Sequence, residues 1–237
     1  MRYAVLGTGI VGRTLAAKLD SLGHEVLIGT RDPADTLART ETTPTGVAPY
    51  ALWQAEHTGV RLARFEEAAA HADFLVNATA GQVSIEALAA AGAAHLEGKV
   101  LLDVANPLDF SRGLPPGLDP VNDDSLGERI QRTFPALRVV KTLNTMNCQV
   151  MVDPGRVAGE HHVFLSGDDA EAKKSARELL YSFGWPEASV LDLGGIETAR
   201  GAEMVLPLWL RLMGALGHTD FNFHIQGAGG PGAWGGH

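Results

Sequence analysis

Three glycines near the amino terminus have the spacing of a phosphate-binding turn. Residues 7–12 read G-T-G-I-V-G, directly after a short apolar run, and a helical pattern follows them. In such a turn the first glycine allows a sharp bend, the second lets the backbone approach an anion, and the third lets the helix pack closely. The start of the helix adds free N–H groups and the positive end of its dipole. The pattern predicts that the pyrophosphate of a dinucleotide binds at Gly7, Thr8, Gly9, Ile10, Val11 and Gly12.

The residues after the second predicted strand decide which dinucleotide is bound. An acidic residue about 20 positions beyond the glycines would bind the ribose 2′-hydroxyl of NAD. This chain has Thr30 and Arg31 there, a hydroxyl and a forked cationic donor that suit the 2′-phosphate of NADP. In the alternative interpretation Arg31 is a solvated loop charge and Asp32 binds the ribose. We expect NADP as the cofactor.

Two further segments follow strands that end at the same edge of the predicted sheet. Asn77, Ala78, Thr79 and Gly81 follow the fourth strand and are expected to shape the nicotinamide side of the cofactor site. Residues 141–148, K-T-L-N-T-M-N-C, follow the sixth strand and form the candidate floor.

Four residues of this floor carry separate expectations. Asn144 and Thr145 can orient a carboxamide or a ring carbonyl. Lys141 either meets a developing negative charge or forms a structural salt bridge, which is the commoner case. Cys148 is interpreted as a small buried packing residue, with no helix N-terminus or cation to activate it.

Nine histidines offer no obvious general base. His24, His71 and His95 precede strands, so they are expected at the edge opposite the cofactor crevice. His161 and His162 are adjacent in a strand and would point to opposite faces, which disfavours a shared metal ion, and we predict no metal site. Only two histidines beyond the last helix, His218 and His224, could return to the crevice.

The lack of a placed acid or base suits one class of reaction. Hydride transfer between a nicotinamide and a flavin-like ring depends on the alignment of two rings more than on proton transfer. We therefore expect no catalytic side chain.

Short β-rich runs alternate with helical patterns through the first 145 residues, which is typical of βαβ units. The predicted fold class is α/β, a Rossmann-type doubly wound parallel sheet with a smaller carboxyl-terminal α/β domain. A Pro-Gly turn in 151–160 marks the expected boundary between two domains. The first, at 1–150, is predicted to bind the dinucleotide, and the second, at 151–226, to close the cleft. A glycine-rich tail follows at 227–237, in which Trp234 is the one large apolar residue. The predicted strands and helices are Tyr3–Leu6, Gly12–Leu22, Glu25–Gly29, Tyr50–Glu56, Val60–Arg64, Phe74–Asn77, Val100–Val104, Arg138–Thr142, His162–Leu165, Asp168–Phe183, Ser189–Leu193 and Met204–Leu216.

Composition excludes several classes of protein. The 237 residues are 45% hydrophobic and 20% charged, as in ordinary globular chains. Nineteen basic against 28 acidic side chains give a formal charge of −9, which opposes nucleic-acid binding. The single cysteine cannot form an internal disulfide, which favours a reducing compartment, the cytoplasm. The apolar stretch 204–217 holds Pro207 and Arg211 and is shorter than the roughly 20 residues that a membrane span needs.

The sequence resembles the coenzyme F420-dependent NADP oxidoreductases, whose fold is also that of the reductase domain of membrane ferric reductases. The resemblance covers nearly the whole chain and rests on G-T-G-I-V-G with L-G-H-E-V-L-I-G-T-R-D, on S-R-G at 111–113, on K-T-L-N-T, on 167–174, and on D-L-G-G-I-E-T-A-R-G-A-E-M-V-L-P-L-W-L-R-L-M at 192–213. It implies NADP as cofactor and coenzyme F420 as a small-molecule redox acceptor, with FMN or FAD as the alternative because K-T-L-N-T-M-N-C is closer to the ferric-reductase branch.

The resemblance also implies roles for single residues. Thr8, Gly9, Ile10 and Val11 would contact the pyrophosphate, and Thr30 and Arg31 the 2′-phosphate. Thr79, Gly81, Cys148 and Phe221 would lie near the nicotinamide or its acceptor. Some members place a lysine against the 2′-phosphate where this chain has Asp35, which weakens the expected preference for NADP.

Other functions remain open at the level of sequence. A β-hydroxyacid dehydrogenase or a pyrroline carboxylate reductase would share the first domain, but the glycine-rich helix with a catalytic Lys and Asn is missing from the second half. A dinucleotide sensor without activity would share the phosphate-binding turn. A homodimer is expected through Met204–Leu216, which is apolar on nearly all sides.

Overall fold

The computed structural model describes residues 1–43 and 46–227. In this part of the chain one eight-stranded sheet has the order β10-β9-β8-β5-β4-β1-β2-β3, and β6 and β7 form a small separate ribbon. The strands are β1 (Arg2–Leu6), β2 (Glu25–Thr30), β3 (Val60–Arg64), β4 (Phe74–Asn77), β5 (Val100–Asp103), β6 (Leu108–Asp109), β7 (Gly117–Leu118), β8 (Arg138–Thr142), β9 (Val163–Ser166) and β10 (Val190–Asp192).

Helices connect these strands. The α-helices are α1 (Ile10–Ser21), α2 (Pro33–Ala38), α3 (Tyr50–Glu56), α4 (Phe65–His71), α5 (Ser84–Ala91), α6 (Ala93–Leu96), α7 (Leu126–Thr133), α8 (Cys148–Val152), α9 (Ala170–Phe183), α10 (Ala199–Met204) and α11 (Leu206–Leu216). Short 3-10 turns lie at Gly81–Val83, Pro154–Arg156, Glu187–Ser189 and Ile196–Thr198. No helix in the described ranges is both long and apolar enough to cross a membrane.

The parallel sheet is covered on both faces, as its apolar strands require. Alternate residues of β1 belong to two hydrophobic cores, one on each face of the sheet. Tyr3 and Val5 belong to the core that includes α1 and α9, and Ala4 and Leu6 to the core that includes α4, α5 and α7. The predicted doubly wound α/β fold is confirmed. The predicted strands at 60–64, 74–77 and 138–142 have the observed bounds, and the others differ by one residue at one end or at both; β6 and β7 were not predicted.

The strand order reverses between β1 and β4. From β1 the chain moves to β2 and β3 on one side, and β4 and β5 continue on the other side, all parallel. In open α/β sheets such a reversal leaves a crevice at the carboxyl ends of the two strands. The crevice therefore lies between the residues after Leu6 and those after Asn77.

The region after residue 150 extends the same sheet. β9 pairs with β8 in the antiparallel direction, and β10 is parallel to β9. The strands of the second segment therefore continue the sheet of the first. The division into domains at 1–150 and 151–226 stays a prediction. Antiparallel pairing also brings the start of β9 to the edge where β8 ends.

The last helical region is interrupted once. The helix predicted over Met204–Leu216 is observed as the end of α10 at Met204 and a new helix, α11, from Leu206. Pro207 lies in the first turn of α11, where a missing N–H costs nothing. Residues 228–237 of the predicted tail, with Trp234, lie outside the described residues.

Candidate functional site

The glycine turn between β1 and α1 has the geometry of an anion cradle. Gly7 has a backbone φ of +118°, which favours glycine, and a Cβ atom there would lie 2.5 Å from the carbonyl oxygen of Ala78. A Cβ atom on Gly12 would lie 2.1 Å from the carbonyl oxygen of Gly7. A Cβ atom on Gly9 would meet no described atom within 4 Å, so this side of the turn is open. Gly9 also precedes α1 without a side-chain cap, which leaves N–H groups of the first turn for a ligand. The turn fits a pyrophosphate, and the contacts of Thr8, Ile10 and Val11 with it stay a prediction.

Two cavities border this turn. The first, of about 580 Å³, lies between the turn, the end of β2 and the start of α5. The second, of about 550 Å³, lies between the turn and the segment 47–50. Thr8 and Thr79 line both cavities, so these residues lie where the two spaces meet. The paired cavities give a dinucleotide room for one half on each side of its pyrophosphate.

The end of β2 presents Arg31 to the first cavity. Its neighbour Thr30 is buried, and the Thr30 and Thr36 hydroxyl oxygens are 2.9 Å apart. The guanidinium of Arg31 has no hydrogen bond or ion pair with any described residue. Asp32 accepts hydrogen bonds from two backbone N–H groups of α2, which lower the pKa of its carboxyl group. Since Asp32 is engaged as a helix cap, this geometry favours Arg31 over Asp32 as the group that meets the nucleotide.

The end of β4 differs from the expectation for Asn77. Its side chain is fully buried and hydrogen bonds to Thr79, Ser84 and Asp103, so Asn77 lies beneath the crevice and does not form its wall. Thr79, which follows it, lines both cavities. A Cβ atom on Gly81 would lie 2.3 Å from the carbonyl oxygen of Asn106, so this glycine allows the backbone after β5 to approach.

Lys141 forms the structural salt bridge that the sequence analysis considered. Its ammonium group is buried, 2.6 Å from Asp103 Oδ2 and 2.8 Å from Glu203 Oε1, and it donates to the carbonyl oxygen of Ala105. Burial alone would lower the pKa of Lys141, but the two carboxylates outweigh burial and raise it. Lys141 is thus paired with two carboxylates inside the fold and lines neither cavity.

The predicted acceptor residues lie away from both cavities among the described residues. Asn144 is buried and donates to Asn106 Oδ1 and to the carbonyl oxygen of Ala202. Thr145 is buried as well.

Cys148 is buried, as expected, and accepts a hydrogen bond from the Thr14 hydroxyl at 3.6 Å. It is the first residue of α8, so the expectation of no helix N-terminus at this thiol is wrong. Phe221 is half-buried and stacks on Trp209 with the ring centres 5.3 Å apart. An acceptor site at these residues stays a prediction.

The histidines within residues 1–43 and 46–227 lie outside both cavities as well. His24, His71 and His95 precede β2, β4 and β5 and lie at the amino edge of the sheet, as predicted. At the other edge, His162 stacks on His224, and burial together with that ring lowers the pKa of His162. His161 is buried beside Trp185. Both histidines precede β9 and contact the segment 222–225, so their position on opposite faces of a strand stays a prediction.

Sequence analysis missed Arg13. Its guanidinium donates to the carbonyl oxygens of Thr8, at 2.8 Å, and Ala48, at 2.6 Å, and lies over the ring of Tyr50. It thereby ties the glycine turn to the segment that closes the second cavity. No spacing rule connects residue 13 with residues 48 and 50, so the sequence carried no signal for this contact.

Comparisons with known proteins agree with this geometry. A model of the family described as NADP oxidoreductase, coenzyme F420-dependent, matches residues 2–107. The crystal structure of a candidate F420-dependent NADP reductase from Arthrobacter sp. FB24 is 61% identical, has a TM-score of 0.91, and aligns over 95% of this chain and 99% of that one.

Two curated relatives are more distant. The F420-dependent NADP reductase of Methanothermobacter marburgensis is 29% identical over 218 residues, 90% of this chain and 92% of the relative. The metalloreductase STEAP3 of Rattus norvegicus is 27% identical over 212 residues, 88% of this chain. The aligned region is only 38% of that protein, so the chain spans less than half of its length.

Proposed function

The chain belongs to the coenzyme F420-dependent NADP oxidoreductase family, and from this premise we propose that it transfers hydride between NADP(H) and a flavin-type ring, with the deazaflavin coenzyme F420 as the first acceptor to test. Its relatives are named as reductases, and the chain is an NADP-dependent oxidoreductase. The identity of the acceptor is the part that is proposed.

One observation carries the proposal. The glycine turn opens on two cavities, and no histidine or cysteine among the described residues lines either of them. A hydroxyacid dehydrogenase would need a base beside the reacting carbon. Hydride transfer between two rings needs alignment at near-attack separation, and the ring nitrogen of the acceptor can take its proton from water.

The residues of the crevice have separate tasks in this proposal. The turn at 7–12 would hold the pyrophosphate through backbone N–H groups, and Arg31 would bind the 2′-phosphate. Arg13 would keep the segment 47–50 against the turn. NADP supplies the hydride chemistry through its nicotinamide C4. The protein binds and orients the cofactor and leaves space for the acceptor.

A second candidate acceptor follows from the alignment with rat STEAP3, whose printed name describes a metalloreductase. FMN, FAD or a ferric chelate would then take the place of F420. An NADPH-oxidation assay with F420, FMN, FAD and a ferric chelate in parallel separates these acceptors. The proposal expects the highest kcat/KM with F420. An equal or higher kcat/KM with FMN, FAD or the chelate would show that the protein is a flavin or ferric reductase.

We further propose that the protein acts as a homodimer in the cytoplasm. Three large apolar residues of α10 and α11 are exposed, Met204, Leu208 and Leu216, which is typical of a surface that a second copy covers. The cytoplasmic assignment rests on the single, buried thiol of Cys148.

A further inference from the structure

A continuous chain of buried polar groups begins at the wall of the crevice. Thr79 donates through its hydroxyl to Asn77 Oδ1 at 2.7 Å, and Asn77 Nδ2 donates to Asp103 Oδ1 at 2.8 Å. Asp103 Oδ2 pairs with Lys141 at 2.6 Å, and Lys141 pairs with Glu203 at 2.8 Å. The four residues behind Thr79 are at most 2% exposed.

The far end of this chain is fixed by a helix. Glu203 accepts the backbone N–H groups of Leu126, at 2.8 Å, and Gly127, at 3.0 Å, in the first turn of α7. These donors and the positive end of the helix dipole suit a carboxylate at Glu203. Lys141 lies between the two carboxylates and pairs with both, and they raise the pKa of its ammonium group.

The pairing of Lys141 with the Asp103 carboxylate determines the direction of the hydrogen bonds that run from Asp103 to Thr79. A carboxylate can only accept, so Asp103 requires the NH2 side of the Asn77 amide to face it. The amide oxygen of Asn77 must then face Thr79. An amide oxygen can only accept as well, so its 2.7 Å contact with the Thr79 hydroxyl oxygen needs the single proton of that hydroxyl, which is therefore directed at Asn77, away from the crevice. The Ser84 hydroxyl lies 2.9 Å from that of Thr79 and accepts from Asn77 Nδ2, so Ser84 donates to Thr79 or to the carbonyl oxygen of Ala80.

Even where Ser84 donates to it, the Thr79 oxygen consequently keeps a lone pair at the place where the two cavities meet. We propose that Asn77, Asp103, Lys141 and Glu203 are positioning residues that hold the Thr79 hydroxyl as a hydrogen-bond acceptor for an O–H or N–H donor of the bound dinucleotide. The donor is a ribose hydroxyl or the nicotinamide carboxamide. An ionised phosphate is excluded, since it has no proton to donate. The inference rests on NADP binding in the proposed function and not on the identity of the acceptor.

The substitution Asp103→Asn tests the direction of the chain. Lys141 would hold the new amide oxygen, so the new NH2 group would face Asn77 and the backbone N–H of Ala105, which loses its acceptor. The Asn77 amide would then invert and donate to Thr79, and the Thr79 proton would point into the crevice. The inversion also removes the acceptor of the Thr79 backbone N–H, so Asp103→Asn reverses the polarity of the Thr79 hydroxyl at the cost of two backbone hydrogen bonds beneath the wall.

The measurement is direct binding of NADPH, by fluorescence titration of the full-length chain. Thr79→Val is expected to raise Kd about 3- to 10-fold, the usual effect of one hydrogen bond, and Thr79→Ser to stay within about 2-fold. Asp103→Asn is expected to raise Kd similarly in the wild type, and by less than about 2-fold when combined with Thr79→Val. Thermal unfolding reports whether each variant folds. If Asp103→Asn does not fold, the comparison of Thr79→Val with Thr79→Ser decides whether the Thr79 hydroxyl binds the dinucleotide.

Arg200→Ala is the matched control. Arg200 ties α10 to α7 through a two-pronged ion pair with Glu128 and takes no part in the chain. It should lower the melting temperature and leave Kd within about 2-fold. Additive effects of Asp103→Asn and Thr79→Val, or an equal loss with Arg200→Ala, would overturn the inference. A wild type that does not bind NADPH would instead contradict the proposed function.

A second ligand identifies the donor. 2′-Phospho-ADP-ribose lacks the nicotinamide ring and its carboxamide. If Thr79→Val weakens this fragment as much as NADPH, the donor is a hydroxyl of the ADP-ribose part. If only NADPH is weakened, the donor is the carboxamide of the nicotinamide. Tight binding of both ligands by Thr79→Val would refute an acceptor role for Thr79.

Discussion

The carboxylates beside Arg31 are both matched by guanidinium groups. Asp35 pairs with Arg39 at 2.5 Å, and Asp32 lies 3.9 Å from Arg64. These ion pairs are exposed and contribute little to stability, but they offset the two negative charges near the proposed 2′-phosphate site. In the sequence analysis Asp35 weakened the expected preference for NADP. In the structure its negative charge is offset by Arg39, one helical turn away.

Arg31→Ala should weaken NADPH about 10- to 100-fold and leave NADH almost unchanged, because a charged hydrogen bond contributes roughly 1.5 to 3 kcal/mol. Isothermal titration with both nucleotides measures the two losses. Arg61→Ala is the control, since Arg61 lies on β3 but pairs with Glu25 at the start of β2. Equal losses of affinity for both nucleotides would show that Arg31 does not bind the 2′-phosphate.

Gly81 and the carboxyl-terminal histidines give opposite expectations for turnover. Gly81→Ala forces a methyl group against the backbone of Asn106 and Pro107, which must move, so turnover should fall sharply. Enlarging the buried Cys148 is expected to reduce turnover similarly.

His218→Asn and His224→Gln should keep turnover within a few-fold of the wild type, whereas loss of a general base costs about 10²- to 10⁴-fold. A collapse in either histidine variant in stopped-flow assays, with Gly81→Ala tolerated, would support the hydroxyacid or imine reductases instead.

At the level of elements, sequence patterns predicted what depends on local spacing. The strand positions and α1 follow from periodicity, and the structure has them. The antiparallel direction of β9 and the engagement of Asn77 were not predictable, because both depend on partners far away in the chain. The same is true of the family segment at 192–213. Its Arg200 and Glu203 bind α7 and Lys141, so this most specific stretch of the sequence fixes packing beneath the crevice.

Asp192 connects β10 to α9 and gives a prediction on pH. Burial opposes its ionisation, but Lys173 and Arg177 outweigh burial and hold the pKa of Asp192 below its usual range. A carboxyl group with a lowered folded pKa stabilises fully above its unfolded value, near 3.9, and loses that contribution as pH falls through the folded pKa.

Urea unfolding should therefore show a smaller loss of stability on acidification for Asp192→Asn than for the wild type. At neutral pH the variant should be the less stable protein. Parallel stability curves for the two proteins between pH 6 and 3 would show that the ion pairs do not act through Asp192.

On the scale of the whole molecule, α11 exposes Leu208 and Leu216, the apolar face that is proposed to contact a second copy. Light scattering at micromolar concentration should give twice the 25.1 kDa mass of the chain. Leu208→Glu places a charge on this face and should yield monomers. Leu114→Glu, at a residue that is 83% exposed on the segment between β6 and β7, should leave the mass unchanged. A wild type of 25.1 kDa would contradict dimerisation.

Transfer of deuterium from NADPH labelled at the nicotinamide C4 tests the central claim most directly. The claim is that hydride passes between two aligned rings with no protein group as an intermediate. In a deazaflavin the receiving position is carbon, so a transferred deuterium does not exchange with water. Mass spectrometry after a single turnover should find the label from one face of C4 retained in reduced F420. Label lost to solvent, or NADPH bound without any transfer to F420, would contradict the account.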